Sequence, residues 1–486
     1  MKLSKFCNKI SLILQALWCA VLYFIIEALC RHSIADAWNY MTGKPLVFAY
    51  NTAFIFTTML IVYLFHRRVF WRVVVSVFWL FLGIVNCILL LNRVTPFTGP
   101  DLHMLTDGIA IMQKYLPFYG VVIGCIIIGL VLFALLILFI KGPKYQQKIK
   151  YRYVIPMIVV GAVAFGGITQ LALEKRVLSN YFGNIAFAYE DYGYPYCLAT
   201  TIFNTGISQP RDYSEEEIKR IEKTESNLPE TKEDGKRPNI LFLQLESFFD
   251  PTLVNYLNIS EDPIPNFRKL MKEYSSGYYK VPAVGAGTAN TEFETITGMS
   301  LHYFGPGEYP YKSILKETTC ESVPYVLKNL GYSTHAVHNN EANFYGRRSV
   351  FPNLGFDTFT SEEYMENENL QNPLGWVKDS ILTDEILKCL DSTEEPDYVY
   401  TISVQGHGDY PSEPILDNPA ITVSGSPTEE LDCKWEYYVN QIYEMDQFVQ
   451  ELVDTLAEYD EPTVLVMYGD HLPTMGLEVK DVENRY

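Results

Sequence analysis

The sequence predicts a multi-pass α-helical membrane domain followed by an α/β domain. Five long apolar segments fill the first third of the chain, and from Asn239 onward short apolar runs alternate with helical patterns. A helix needs about 20 apolar residues to cross a bilayer. Strands that alternate with helices are typical of a mostly parallel sheet covered by helices. We therefore divide the chain into 1–176, 177–237 and 238–486.

The five apolar segments are predicted to be transmembrane helices, because only a helix satisfies its own backbone hydrogen bonds in lipid. Basic residues precede the first segment and lie between the second and third and between the fourth and fifth. By the positive-inside rule, the amino terminus is cytoplasmic. An odd number of spans then makes the last domain extracellular. The spans are predicted at 10–30, 46–66, 70–92, 118–140 and 153–173.

The region from 177 to 237 is predicted to connect the two domains. Its first part, 178–207, is rich in tyrosine and phenylalanine, which favours a juxtamembrane helix with its rings at the lipid head groups. A role in guiding a lipid substrate is the alternative reading. The polar, acidic segment that follows predicts a solvated linker with a short helix.

Composition excludes one class of partner. The chain has 57 acidic and 38 basic residues, a net charge of −19. Phosphate backbones are bound by clusters of Lys and Arg, so we expect no nucleic acid partner. The nine cysteines include no Cys-x-x-Cys pair, and a disulfide framework is not indicated.

Four predicted strands end in side chains that can do chemistry. "NILFLQLESF" ends near Glu246, "GYSTHAVHNN" near His338, "DYVYTISVQGHGDYP" near His407, and "TVLVMYGDHLP" at Asp470 and His471. Ligands of open α/β sheets bind outside the carboxyl ends of the strands. We therefore expect these side chains to converge on one edge of the sheet.

Taken singly, each of these residues also has a structural reading. A Glu that closes a strand is commonly a turn or cap residue, and a lone His is commonly a structural group. Together, Glu246, Asp470 and His471 indicate a site for a divalent metal. The last of the four runs is uniformly apolar and predicts a fully buried strand. Mn²⁺, Mg²⁺ or Zn²⁺ would fit such a donor set.

The segment "KVPAVGAGTANTEFETITG" predicts a tight turn that leads into a helix. Gly285 and Gly287 permit the turn, and Thr288 or Asn290 is the expected amino-terminal cap. Free backbone N–H groups at a helix start favour phosphate. Beside a divalent cation, the Thr288 hydroxyl could attack phosphorus. The alternative reading is a helix cap alone.

The motifs "QLESF", "GAGTANTEFE", "FYGRR", "QGHGDYP" and "YGDHLP", in that order after five spans, resemble the lipoteichoic acid synthase family. That family belongs to the alkaline phosphatase/sulfatase superfamily. The resemblance implies a sulfatase-like fold for 238–486. In the family this domain continues well beyond the Asp-His pair, so we expect the chain, which ends at Tyr486, to be truncated at its carboxyl end.

The resemblance also implies roles for individual residues. Thr288 matches a catalytic threonine that is both nucleophile and metal ligand, and Glu246, Asp470 and His471 match the other ligands, usually of Mn²⁺. Tyr345 stands where the family often has Trp, and Asn339 stands where Gly is usual. The implied substrate-binding residues are Arg347 for phosphate, His407 for glycerol phosphate, and Tyr345 and His338 beside them.

The activity implied is phosphoglycerol transfer in lipoteichoic acid synthesis. Phosphatidylglycerol would be the donor, a glycolipid or polyglycerol phosphate the acceptor, and phospho-threonine the intermediate. Three alternatives stay open: a phosphoethanolamine transferase, a sulfatase, and a non-catalytic membrane sensor of lipid or polymer. No Cys/Ser-x-Pro-x-Arg motif, which a sulfatase proper needs, lies near Thr288. The Ala-Phe-Ala sequence at 186–188 leaves open proteolytic release of the outer domain.

Overall fold

The computed structural model divides the chain into two compact units. A membrane unit comprises 1–205 with 305–307, and an outer unit comprises 206–304 with 308–486. The basic residues before the first span lie outside the described residues. The structure describes 11–91, 95–103, 118–180, 182, 185–204, 206–207, 212–225, 237–283, 285, 287–366, 370–477 and 479–483.

The membrane unit is helical. Among the described residues, five helices are long and apolar enough to cross a membrane: Ser11–Cys30, Pro45–Leu64, Arg68–Leu90, Val122–Lys141 and Tyr151–Glu174. They coincide with the predicted spans to within a few residues. The helices are α1 (Ser11–Cys30), α2 (Ile34–Gly43), α3 (Pro45–Met59), α4 (Arg68–Leu90), α5 (Gly99–His103), α6 (Phe118–Lys141), α7 (Tyr151–Glu174), α8 (Ile185–Tyr192) and α9 (Tyr194–Phe203).

The aromatic-rich segment differs from the prediction of one juxtamembrane helix. It forms two helices, α8 and α9, that meet at Gly193. Gly193 has φ 81°, and a β-carbon there would lie 2.2 Å from the Tyr23 hydroxyl oxygen, so no other residue fits. Tyr194 and Tyr196 are buried in the core of the membrane unit. Packing against α1 and α3 therefore determines the conformation of this segment.

The outer unit is α/β, as predicted, and the short helix expected in the linker is α10. The described cysteines of both units are free. The strands and helices are α10 (Glu215–Glu225), β1 (Asn239–Leu245), β2 (Asn258–Ile259), α11 (Pro265–Glu273), α12 (Thr288–Thr297), α13 (Val323–Asn329), β3 (Ser333–His338), α14 (Arg347–Asn353), β4 (Thr358–Ser361), α15 (Ile381–Leu390), β5 (Asp397–Ile402), β6 (Val423–Ser424), α16 (Glu429–Glu458) and β7 (Thr463–Gly469).

The main sheet has five parallel strands in the order β4-β3-β5-β1-β7, and β2 and β6 form a small antiparallel pair. Side chains of β1 alternate between two cores, as the pleat requires. Leu241 and Leu243 pack in a cluster with α15 and α16, whereas Phe242 packs against the cluster that contains residues of α12 and α14. Both faces of the sheet are therefore covered, and the carboxyl ends of the strands share one edge.

The last strand corrects a prediction. β7 was expected to be fully buried, but it lies at the edge of the described sheet and pairs with β1. The side chains of Val464 and Val466 are 47% and 37% exposed. A uniformly apolar run does not reveal how many neighbours a strand has.

Two substitutions to alanine test the position of β7 at the edge of the sheet. Leu243 is fully buried in the strand next to β7, so Leu243→Ala should lower the free energy of unfolding by about 3 kcal/mol. Val464→Ala on the edge strand should change it by less than about 0.5 kcal/mol. Urea unfolding of the purified protein in detergent, followed by near-UV circular dichroism, measures both. Equal losses would contradict the strand order.

Candidate metal centre and nucleophile

The site begins with the register of two strands. Leu245 of β1 lies opposite Gly469 of β7, and the Asp470 N–H donates to the Leu245 carbonyl oxygen at 3.2 Å. Glu246 and Asp470 therefore follow at neighbouring strand ends. A β-carbon at Gly469 would lie 2.1 Å from the Phe248 carbonyl oxygen, so only glycine lets the chain after β1 fold back this closely.

Three side chains converge there. One ligand atom from each of Glu246, Asp470 and His471 lies within 4.8 Å of the others, and all three residues are buried. His471 Nε2 is 3.4 Å from Glu246 Oε1 and 3.6 Å from Asp470 Oδ2. The convergence expected from the sequence is therefore present for these three residues.

Ser247 orients the two carboxylates. Its backbone adopts φ 52°, an uncommon conformation for a residue other than glycine. Its N–H donates to Asp470 Oδ1 at 2.8 Å, and its hydroxyl donates to Glu246 Oε1 at 3.0 Å. The Tyr438 hydroxyl donates to the Ser247 carbonyl oxygen at 2.7 Å and holds this turn in place.

The hydrogen bond of His471 sets its tautomer. Nδ1 lies 2.9 Å from the Leu472 carbonyl oxygen, which can only accept, so Nδ1 carries a proton. In the neutral ring, Nε2 then keeps its lone pair and faces Glu246 and Asp470. Metal-ligating histidines commonly have this arrangement.

Burial and mutual repulsion shift the pKa values of these groups. Desolvation raises the pKa of Glu246, although His471 opposes the shift. Desolvation, followed by the Glu246 carboxylate, raises the pKa of Asp470 to about 6. Burial by itself would lower the pKa of His471, but Asp470 and Glu246 outweigh it and raise the pKa. The cluster therefore concentrates negative charge that attracts a cation.

Thr288 is the first residue of α12, and its hydroxyl donates to Glu246 Oε2 at 3.1 Å. The structure corrects the predicted cap, because Gly287 caps the helix and neither Thr288 nor Asn290 does. Gly287 has φ 111°, which only glycine adopts readily. With the cap position occupied by Gly287, the Thr288 hydroxyl is directed to the carboxylate cluster.

The residues present fit a divalent cation. Asp470 Oδ2 is buried and accepts no hydrogen bond from any described residue, which is costly for a carboxylate oxygen unless a cation binds it. The donor set combines two carboxylates, one imidazole nitrogen and a hydroxyl. Mn²⁺, Mg²⁺ and Zn²⁺ all accept oxygen and imidazole ligands.

Gln244 holds the backbone of the threonine. Its Nε2 donates to the Thr288 carbonyl oxygen at 3.4 Å. Its Oε1 accepts from the Tyr400 hydroxyl at 2.8 Å and the Tyr468 hydroxyl at 3.1 Å. Gln244 is fully buried, so this network connects β1, β5 and β7 to the start of α12.

Arg347 forms a buried ion pair. Its Nε donates to Glu292 Oε2 at 3.1 Å, its Nη2 donates to Glu292 Oε1, and both side chains are fully buried. Its Nη1 donates to the Phe344 carbonyl oxygen at 3.2 Å. Glu292 lies four residues after Thr288 on α12, so both residues share a helix face. Contact of Arg347 with a substrate phosphate stays a prediction.

His338 closes β3 and is buried. Its Nδ1 lies 3.0 Å from the Ile402 carbonyl oxygen and therefore carries a proton, while Nε2 accepts no hydrogen bond from any described residue. Desolvation, followed by the charge of Arg347, lowers its pKa well below the usual value. His338 is therefore a neutral imidazole, and its role in substrate binding stays a prediction.

Tyr345 and His407 belong to a group of aromatic rings. Tyr345 has φ 56°, and its ring stacks on that of Tyr309 with centroids 5.8 Å apart. The His407 ring lies 4.4 Å from that of Trp376 and 6.2 Å from that of Phe344, measured between centroids. The aromatic contacts between Phe344 and Tyr345 join the two parts, which places both predicted substrate-binding residues in one cluster.

Sequence reasoning missed the roles of Glu292 and Gln244. The spacing of four between Thr288 and Glu292 was a signal, since such residues lie on one face of a helix. Gln244 carried no comparable signal. A polar residue inside an apolar strand does not disclose which neighbouring strand supplies its partners.

The sulfatase family profile matches residues 238–483, slightly more than half of the chain. The chain belongs to the sulfatase family. This match confirms the predicted sulfatase-like fold, and the five long apolar helices confirm the predicted membrane domain. The predicted likeness to lipoteichoic acid synthases is confirmed by the relatives described below. The relatives described below show that the chain is related to membrane transferases of this superfamily.

Two curated relatives illustrate the range of similar proteins. A Rhizobium meliloti protein named for cyclic β-1,2-glucan modification is 28% identical over 74% of this chain and 55% of its own length. Lipoteichoic acid synthase 2 of Bacillus subtilis is 26% identical over 49% of this chain and 36% of its own length. The chain spans about half the length, or less, of these curated relatives.

A solved structure is similar to part of the chain. It is the Streptococcus pyogenes phosphoglycerol transferase GacH in complex with sn-glycerol-1-phosphate, which aligns with a TM-score of 0.51 and 25% identity. The alignment covers 58% of this chain and 74% of that one.

Removal of a predicted ligand should abolish tight metal binding. Asp470→Asn removes a buried charge from the cluster, and we expect the affinity for Mn²⁺ to fall by more than about tenfold. Substitution of a residue that merely supports a metal ligand already lowers metal affinity by about that factor. Titration of the metal-free protein with Mn²⁺ measures this. Asp409→Asn, an exposed aspartate after β5, is the matched control and should bind as wild type. Unchanged affinity in Asp470→Asn would contradict the assignment.

The buried ion pair gives a second prediction. Glu292→Gln leaves the Arg347 charge without its partner, so the free energy of unfolding should fall by about 3–5 kcal/mol. Adding Arg347→Met should recover part of that loss, because the unpaired charge disappears. Glu294→Gln, on the same helix and half-buried, is the control. A double variant no more stable than the single variant would contradict this prediction.

Proposed function

We propose that this protein is a metal-dependent phosphoglycerol transferase. It moves glycerol phosphate from phosphatidylglycerol to a glycolipid or to a glycerol-phosphate polymer through a covalent phospho-threonine. The observation that carries the proposal is the Thr288 hydroxyl, which hydrogen-bonds Glu246 beside Asp470 and His471 at the start of a helix. Similarity to a phosphoglycerol transferase in complex with sn-glycerol-1-phosphate supports the choice of head group.

In the first step, the Thr288 oxygen attacks the phosphorus of phosphatidylglycerol. Its proton passes to Glu246, to which the hydroxyl already donates. The new bond joins Thr288 to phosphorus while the bond from phosphorus to the diacylglycerol oxygen breaks. Protonated His407 supplies the proton that the departing diacylglycerol takes up.

In the second step, a hydroxyl of the acceptor attacks the same phosphorus. Neutral His407 accepts the proton of that hydroxyl, and the Thr288 oxygen leaves and recovers its proton from Glu246. Glycerol phosphate is then joined to the acceptor, and every group has returned to its starting state. In this proposal Tyr345, Arg347 and His338 surround the transferred group.

Glu246, Asp470 and His471 would hold the cation, with Thr288 beside it, and Mn²⁺ is the metal we propose. When bound, such a cation lowers the pKa of an adjacent hydroxyl and stabilises the negative charge that develops on the phosphoryl oxygens. Arg347 adds a fixed positive charge close by. Glu292 accepts hydrogen bonds from Nε and Nη2 of Arg347, so its carboxylate offsets part of this charge.

The membrane domain suits a substrate that stays in the bilayer. We propose the orientation expected from the basic loops, with a cytoplasmic amino terminus and an extracellular catalytic domain. The acceptor is the least defined part. One relative is named for glucan modification and another for lipoteichoic acid synthesis, so either a glycan or a glycerol-phosphate chain fits the proposal.

Intact mass after incubation with phosphatidylglycerol and Mn²⁺ tests the donor and the nucleophile together. The wild type should gain one glycerophosphate, and Thr288→Ala should gain none, because the attacking oxygen is absent. Thr297→Ala, at the other end of α12, is the control and should gain the same mass as wild type.

Other outcomes would redirect the assignment. A gain of phosphoethanolamine from phosphatidylethanolamine, with no gain from phosphatidylglycerol, would identify the phosphoethanolamine transferase. Metal bound in full without any adduct or turnover would identify the non-catalytic sensor. An adduct that persists in Thr288→Ala would overturn the proposed nucleophile.

A further inference from the structure

The membrane unit contains a cavity of about 390 Å³. It is lined by residues 43–47, where α2 ends and α3 begins, by Val177 after α7, and by Asp191 and Tyr192 at the end of α8. These segments are far apart in the sequence, and none belongs to the metal centre. Mutual packing of the membrane helices therefore builds the cavity.

The order of the spans places the cavity at one side of the membrane. Residues 43–47 follow the first span, and residues 177 and 191–192 follow the fifth. Both spans are odd-numbered, so these segments lie on the side of the membrane opposite to the amino terminus. The chain of the outer unit continues on that same side.

Two opposite charges lie at the cavity. The Lys44 ammonium forms an ion pair with the Asp191 carboxylate, and both side chains are about half exposed. Lys44 also precedes α3, so the positive end of that helix dipole adds to its charge. An exposed ion pair contributes little to stability, and its partners can exchange for a ligand. The cationic part suits a phosphate, and the carboxylate suits a hydroxyl donor.

The wall of the cavity changes from buried to lipid-facing. Val47 is buried, whereas the adjacent Leu46 is 68% exposed on a membrane-spanning helix. A volume of about 390 Å³ is at the low end for small-molecule sites. The cavity is large enough for a polar head group but too small for two acyl chains, which would lie along the helix surface.

We propose that this cavity binds the head group of phosphatidylglycerol, with the phosphate at Lys44 and the glycerol hydroxyls at Asp191. This inference rests on the proposed function, because it names a second place where the same donor lipid is held. The site would concentrate the donor on the side of the membrane that the outer unit occupies. It is separate in sequence and in unit from the residues that do the chemistry.

Gly43 offers a direct way to block the cavity. It lines the cavity, and a β-carbon at this position would meet no atom within 4 Å. Gly43→Phe therefore adds a large side chain whose β-carbon has room. Gly43→Ala is the matched control, since one methyl group occupies little of the volume.

The experiment measures the binding of fluorescent phosphatidylglycerol to the full-length Thr288→Ala protein in detergent without metal, so that no reaction occurs. Gly43→Phe should weaken binding at least tenfold, and Gly43→Ala should leave it unchanged. Lys44→Gln should weaken binding several-fold. Lys175→Gln is the control for charge. Lys175 is exposed and lies on the same side of the membrane but does not line the cavity, so its substitution should leave lipid binding unchanged. Phosphatidylcholine, which lacks the hydroxyls, should compete poorly.

Wild-type affinity in a folded Gly43→Phe protein would overturn the inference, and so would equal losses in Lys44→Gln and Lys175→Gln. If Gly43→Phe does not fold, the comparison of the two lysine variants decides. Phosphatidylglycerol could bind at the cavity while the protein that retains Thr288 forms no covalent adduct with it. That result would overturn the proposed function and support this inference. A covalent adduct at Thr288, together with lipid binding that substitutions at Gly43 and Lys44 leave unchanged, would support the proposed function and overturn this inference.

Discussion

Leu245 and Gly469 lie opposite each other in the parallel pairing of β1 with β7, and the residue that follows each of them is a carboxylate of the candidate metal centre. A shift of one residue would turn every side chain of the strand to the other face of the sheet. The absence of a side chain at Gly469 allows the chain after Leu245 to return close to β7. Every contact of Glu246, Asp470 and His471 depends on this register.

That arrangement is electrostatically costly. Two carboxylates and an imidazole are buried within a few ångströms of one another, and the elevated pKa of each carboxyl group reflects the cost of keeping it charged. Ser247 offsets part of the cost with two hydrogen bonds, but Asp470 Oδ2 keeps no donor among the described residues. A divalent cation at the proposed site would offset the rest, and its binding would then be coupled to the folding of this edge of the sheet.

The helix that carries Thr288, the proposed nucleophile, is held from two directions. Gln244 holds the Thr288 carbonyl oxygen from the sheet, and Arg347 holds Glu292 one turn further along. Because both side chains are fully buried, neither charge can exchange its partner for water, and the ion pair is therefore rigid. The position of Thr288 is therefore set by the sheet and by the segment that carries Tyr345, and less by its own helix.

The sequence by itself determined the five membrane spans, the parallel α/β domain, and the candidate ligands at the strand ends. Those features follow from hydropathy, alternation and local turn chemistry, which act over a few residues. Only the tertiary structure decided that Gly287 and not Thr288 caps its helix, that β7 is an edge strand, and that Tyr194 and Tyr196 are buried among membrane helices. It alone paired Glu292 with Arg347 and brought Lys44 to Asp191. These contacts join residues separated by 55 and 147 positions, and no local pattern encodes which distant side chain will satisfy a buried or charged group.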